Sequence, residues 1–164
     1  MKRNLTIIAS WLIALWASKV FLFSLPYKFT SHPDTQHIFG IIGRWIQEVV
    51  SVAAGDFFIA KGAYVVGSFE LFTSIILLLP ALLWLLSKLN LVTYHSRIRA
   101  RLHCAGGLLA SGVMTGAVFF HLATPLGIVV LHEGKSDGGS LFYAACSILV
   151  LGLVLFFINL KAAR

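Results

Sequence analysis

Three ionisable side chains, Lys19, Glu70 and His121, stand within stretches that are otherwise almost wholly apolar. A charge in such surroundings is costly and needs a partner or a purpose. An ammonium, a carboxylate and an imidazole brought together could hold the polar head of a ligand and move a proton to or from it. Tyr64 and Arg44, a phenol and a guanidinium placed toward the same side, could complete such a cluster. Other chemistries lack their minimal equipment. Cys104 and Cys146, the only two cysteines, have no C-x-x-C spacing for thiol exchange or thiolate metal binding. His32, His37 and His132 match no compact metal motif, so no metal is expected.

The elements that must position these residues are set by composition. Of 164 residues, 59% are hydrophobic and 12% charged, with a mean hydropathy of +0.90; a soluble domain carries about 25% charged residues. Lipid must be the solvent for much of the chain. A helix needs about 20 apolar residues to cross the hydrocarbon core, and four segments qualify: 5–25, 62–86, 104–124 and 141–160. Pro26 and Pro125 are read as standing just past the outer ends of the first and third. Met1-Lys2-Arg3 before an apolar run resembles a signal peptide, but the run lacks a convincing small-residue cleavage site and reads as a retained span. The expected fold is all-α: a single-domain, integral membrane four-helix bundle.

The net charge of +7 is better read as a topology signal than as a nucleic-acid footprint. With the N-terminus inside, Lys2, Arg3, Lys88, Arg97, Arg99, Arg101, Lys161 and Arg164 face the cytoplasm, against Lys28, Arg44, Lys61 and Lys135 outside. Asp34, Glu48, Asp56, Glu133 and Asp137 all fall in external segments. Both termini are therefore expected in the cytoplasm, with the chain in a bacterial inner membrane. The basic 87–103 segment is expected as a loop against anionic inner-leaflet headgroups. Between the first two spans, Ile38, Ile41, Ile42, Trp45, Ile46, Val49 and Val50 recur at helical spacing, with Gly40, Arg44, Gln47, Glu48 and Ser51 opposite. This predicts an amphipathic external helix on the membrane surface or capping the bundle.

Lys19 lies six residues before the outer end of its span and Glu70 eight after the outer start of its own, which puts both roughly 9 to 12 Å below the external boundary. Equal depth and opposite charge predict a Lys19–Glu70 pair, with His121 about 5 Å below the same boundary. Everything ionisable within the spans is thus expected in the outer half. Each residue also has a plain structural reading. A Lys–Glu pair can fix helix register, Lys19 can snorkel along its own stem, and His121 can be a hydrogen-bonded packing residue. Gly112-x-x-x-Gly116, with Gly106, Gly107 and neighbouring alanines, makes the third span a small-residue packing surface.

At these residues the chain resembles the DoxX and DoxX-like family of small four-helix membrane proteins. The likeness is carried by Lys19-Val20-Phe21-Leu22-Phe23 with Lys28-Phe29 after it, by His32-Pro33 and Ile38-Phe39-Gly40, and by Val66-Gly67-Ser68-Phe69-Glu70-Leu71. The third span adds Met114-Thr115-Gly116-Ala117 and Phe120-His121-Leu122-Ala123-Thr124-Pro125-Leu126-Gly127. Some members of that family look like the membrane subunit of a thiosulfate:quinone oxidoreductase; others belong with oxidative-stress complexes or methylamine utilisation. The resemblance implies that Glu70 and His121 contact a quinone headgroup or a small polar reductant, His121 as hydrogen-bond donor or proton relay and Glu70 as its charge partner.

Two functions of different class follow. The first is a quinone-linked redox subunit, or a binder of another lipid-soluble ligand, with its pocket in the outer half of the bundle. The second is a non-catalytic scaffold or assembly factor holding other membrane or redox subunits through the amphipathic helix and the small-residue span. Translocation through the bundle ranks last, because the inner halves of the spans are read as lacking polar residues.

Overall fold

The computed structural model describes residues 2–164. Five helices follow in order: α1 (Lys2–Phe29), α2 (Pro33–Val49), α3 (Val52–Lys88), α4 (Ser96–Ala123) and α5 (Ser140–Ala163), with a ribbon of β1 (Leu131–His132) and β2 (Lys135–Ser136) before α5. Helices α1, α3, α4 and α5 are each long and apolar enough to cross a membrane, and α2 is the shorter helix between the first two of them. The start of α1 and the end of α5 share one end of the bundle, where Ser10 of α1, Arg99 of α4 and Asn159 of α5 meet. Helix α2 and the 124–139 connection occupy the other, the loop end.

Several boundaries differ from the sequence reading, for physical reasons. Pro26 does not end the first span; it lies inside α1, which runs on to Phe29. Proline there removes one N–H, yet its fixed φ suits a helix and the loss is confined to one turn. At 37 residues, α3 is about 55 Å long, more than the roughly 30 Å of hydrocarbon. Its first ten residues extend beyond the span expected from Gly62. The 87–103 segment is only partly a loop, since α4 starts at Ser96.

Helix α2 caps the bundle by folding back on that α3 extension as an antiparallel hairpin across Val50 and Ser51. Ser51 caps α3 by accepting from the Ala54 N–H at 3.2 Å, and Gln47 donates to Asp56 at 2.7 Å. The crossing is close because it is built on glycine. A Cβ on Gly43 would meet the Gly55 carbonyl at 3.0 Å and the Ile59 side chain, and one on Gly62 would meet the Phe39 ring at 2.9 Å. The apolar face of α2, through Ile38, Ile41, Ile42 and Ile46, packs on Phe58, Phe120, Leu126 and Val130. Within the main bundle, α4 and α5 approach through Gly107, Ser111 and Gly152, where a Cβ on Gly107 would stand 2.6 Å from the Gly152 carbonyl. Gly112 and Gly116 have nothing within 4 Å of an added Cβ, so among the described residues the expected packing motif has no partner and the neighbouring glycines make the contact.

Candidate functional site: an ion pair buried at the loop end

The buried face of α1 carries Ser10, Ile13, Ala14, Ala17, Ser18 and Phe21, a spacing of three and four that continues to Ser24 and Lys28. On α3 the facing stripe is Gly67, Glu70, Thr73, Ser74 and Leu77. Where the stripes meet, the Lys28 ammonium contacts both Glu70 oxygens, Oε1 at 3.0 Å and Oε2 at 2.8 Å. Ser24 Oγ stands 2.6 Å from Oε2 and 2.7 Å from the Phe21 carbonyl. One hydroxyl proton therefore faces two acceptors. Gly67 makes room for the lysine stem, since a Cβ there would sit 3.3 Å from Lys28 Cβ and from the Phe29 ring. The Lys28 charge also lies in the last turn of α1, where the helix dipole favours a cation.

The expected Lys19–Glu70 pair is not formed. Lys19 faces outward beside exposed Leu12, Leu15, Trp16 and Phe23, with its ammonium 5.9 Å from the centroid of the Trp16 ring. Ending the first span at Leu25 had placed Lys28 in a loop and left Lys19 as the only basic residue at that depth. The signal that separates them is periodicity. Lys28 is seven residues from Phe21 and four from Ser24 on the packed face, whereas Lys19 shares the opposite stripe.

The other candidates take separate places. His121 is buried and its Nδ1–H donates to the Gly127 carbonyl at 2.6 Å, with Phe142 edge-on to the ring. In the neutral ring this leaves Nε2 as an acceptor. Tyr64 exchanges a 2.9 Å hydrogen bond with Ser31 and has the Lys61 ammonium over its ring. Arg44 is exposed on α2. Among the described residues, none of these three bonds to Glu70.

A second polar group closes the loop end. The Asp34 carboxylate accepts from the His132 ring at 2.6 Å, and His132 stacks on His37 at 4.4 Å between centroids. The His132 hydrogen bond, with the nearby histidines and Lys135, holds the Asp34 carboxyl below the usual 3.8. Asp137 anchors the turn into α5 by accepting from the amides of Val130, Gly139 and Leu141 at 2.7, 2.9 and 3.1 Å. Burial alone would raise its pKa, but those three donors outweigh it and the net shift is downward. Among the described residues no three such side chains are disposed to hold a metal ion.

The expectation that every ionisable group within the spans lies in the outer half does not hold. Arg99 and His103 are buried on α4 toward the terminus end, with Trp11 edge-on to the His103 ring at 4.7 Å. Arg99 donates to Asn159 Oδ1 at 3.0 Å, and Asn159 donates onward to Ser10 at 2.9 Å. Placing 87–103 wholly in a loop had hidden this layer.

Between α1 and α3, starting one helical turn along α3 from Glu70, lies an open groove of about 230 Å³ lined by Leu22, Ser74, Ile75, Leu78, Leu79 and Leu82. Ser74 lines the groove one helical turn from Glu70, its hydroxyl donating to the Glu70 main-chain carbonyl at 2.8 Å within α3. No family model, curated protein or solved structure matches the chain.

Proposed function

We propose that this chain is a multi-pass inner-membrane protein of the DoxX-like kind that binds a lipid-soluble ligand of the quinone class at its outer half, as a subunit of a redox complex. One observation carries the reading: the buried Ser24–Glu70–Lys28 cluster lies one helical turn along α3 from an open apolar groove between α1 and α3. A quinone has the matching form, with carbonyl oxygens for the Lys28 ammonium and Ser24 hydroxyl and an isoprenoid tail for Leu22, Ile75, Leu78 and Leu82. In this reading Glu70 orients Lys28 and is the acceptor nearest a quinol hydroxyl, while His121 is a separate polar group near the loop-end surface. Both termini face the cytoplasm. Titration of the purified protein with a short-chain ubiquinone or menaquinone analogue tests it. Saturable binding weakened in Glu70→Gln and Lys28→Met, and unchanged in Lys19→Met, is the expected result. Undiminished affinity in both site variants rejects the site.

The scaffold reading is favoured by a different observation. An added Cβ on Gly112 or Gly116 would meet nothing within 4 Å among the described residues, which leaves a surface of α4 suited to a second transmembrane helix. A stoichiometric partner that crosslinks through that surface, with no quinone bound, would support it over the first.

A further inference from the structure

The α3–α4 turn at the terminus end, whose basic sequence already predicts a place against anionic headgroups, combines three features that neither the quinone nor the scaffold reading uses. The first is an excess of positive charge where a helix is already positive. Arg97, Arg99 and Arg101 fall in the first two turns of α4, which has no acidic residue in its first turn and no side-chain cap on its first amides. The N-terminal pole of a helix disfavours cations and attracts anions.

The second is a buried guanidinium without a counter-ion. Arg99 is 9% exposed, and its only hydrogen bond is from Nη1 to Asn159, so Nε, Nη2 and the second Nη1 proton remain without a partner among the described residues. All six acidic side chains, Asp34, Glu48, Asp56, Glu70, Glu133 and Asp137, belong to the loop-end half. No carboxylate side chain of the chain neutralises Arg99. One turn further along the same face, His103 is fully buried with both ring nitrogens lacking a partner; the Leu77 carbonyl lies toward the ring, but neither nitrogen meets it with hydrogen-bond geometry.

The third feature marks where the anion comes from. Leu89, Leu91 and Val92 in the turn are exposed at 61, 67 and 39%, beside Trp84 with the Lys88 ammonium 5.7 Å from its ring centroid. Apolar side chains flanked by arginine, lysine and tryptophan suit the boundary between acyl chains and headgroups, not bulk water.

We propose that the α3–α4 turn and the first turns of α4 bind the phosphate of an anionic phospholipid, with Arg99 as the fixed planar fork and Arg97 as a flanking charge, while Arg101 is held through Nε on the Ala163 carbonyl at 2.9 Å. A guanidinium matches two phosphate oxygens at once, which an ammonium cannot do. The exposed Leu89, Leu91 and Val92 lie alongside the acyl chains of the same lipid.

The test is native mass spectrometry of the full chain released from nanodiscs of phosphatidylglycerol or of phosphatidylcholine, with thermal unfolding followed as lipid is added back. Wild type should retain phosphatidylglycerol preferentially, and Arg99→Gln should lower its apparent affinity at least about tenfold. Arg99→Lys, which keeps the charge and guards against a folding defect, should fall between the two, and Arg97→Gln should change it less than about threefold. Equal retention of the two lipids, or undiminished retention in Arg99→Gln and Arg99→Lys, overturns the proposal. So does full stabilisation by inorganic phosphate alone with no added effect of lipid, which would make the site one for a soluble anion.

Discussion

Replacing Lys28 by Met probes the pairing on which the site depends, and the structure sets the size of the effect. The Lys28 and Glu70 side chains are 15% and 5% exposed. Removing one member of a buried ion pair strands the other charge, at a cost of about 3 to 5 kcal/mol. The Lys28 side chain is not fully buried and Ser24 still holds one Glu70 oxygen, so the lower bound applies, about 3 kcal/mol, or roughly a hundredfold in the unfolding equilibrium. Lys19→Met removes a charge on an outward face and should stay within about 0.5 kcal/mol. The double variant Lys28→Met/Glu70→Met should recover much of the loss, because no orphan charge remains. SDS-driven unfolding in mixed micelles, followed by the fluorescence of Trp11, Trp16, Trp45 and Trp84, reads all four proteins. A silent Lys28→Met, or a larger loss in Lys19→Met, would refute the reasoning.

Three further outcomes follow from particular contacts. Gly152→Ala should destabilise by about 1 to 3 kcal/mol, because its Cβ would stand 2.7 Å from the Gly107 carbonyl and 3.2 Å from the Ser111 amide; Gly112→Ala, with open space around it, should cost nothing in the same assay. Asp137→Asn should speed hydrogen exchange at the Val130 and Leu141 amides that the carboxylate holds. Since the folded pKa of Asp137 lies below its usual 3.8, the stability it contributes is present above that value and lost as pH falls through the folded pKa, so wild-type protection there should collapse on acidification while Asp137→Asn stays flat. Asn159→Leu removes the group that joins Arg99 to Ser10 and should cost about 1 to 3 kcal/mol in the unfolding assay.

The four long helices were legible because lipid imposes a simple rule, about 20 apolar residues for each crossing. The amphipathic α2 was legible because its isoleucines recur at helical spacing. Hydropathy locates the oily part of a helix and not its ends, however, and that difference decided the site. Helix α1 continues through Pro26 to Phe29, and α4 begins seven residues before His103. Those extensions bring Lys28 to Glu70 and Arg99 to Asn159. Glu70 stood out as a lone carboxylate in lipid; its partner required asking which face of α1 holds the alanines. Nothing local separates Gly107 from Gly112 either, since which glycine meets a neighbour depends on where α5 crosses.

The central claim is that a lipid-soluble quinone lies with its head at Ser24, Glu70 and Lys28 and its tail in the groove between α1 and α3. Photocrosslinking in nanodiscs with a quinone bearing an azide on its isoprenoid chain tests this most directly. Labelled peptides should contain Leu22 and the 75–82 stretch of α3, and labelling should fall in Glu70→Gln and be competed by unlabelled quinone. Labelling spread over all four long helices, or undiminished in Glu70→Gln, would contradict it.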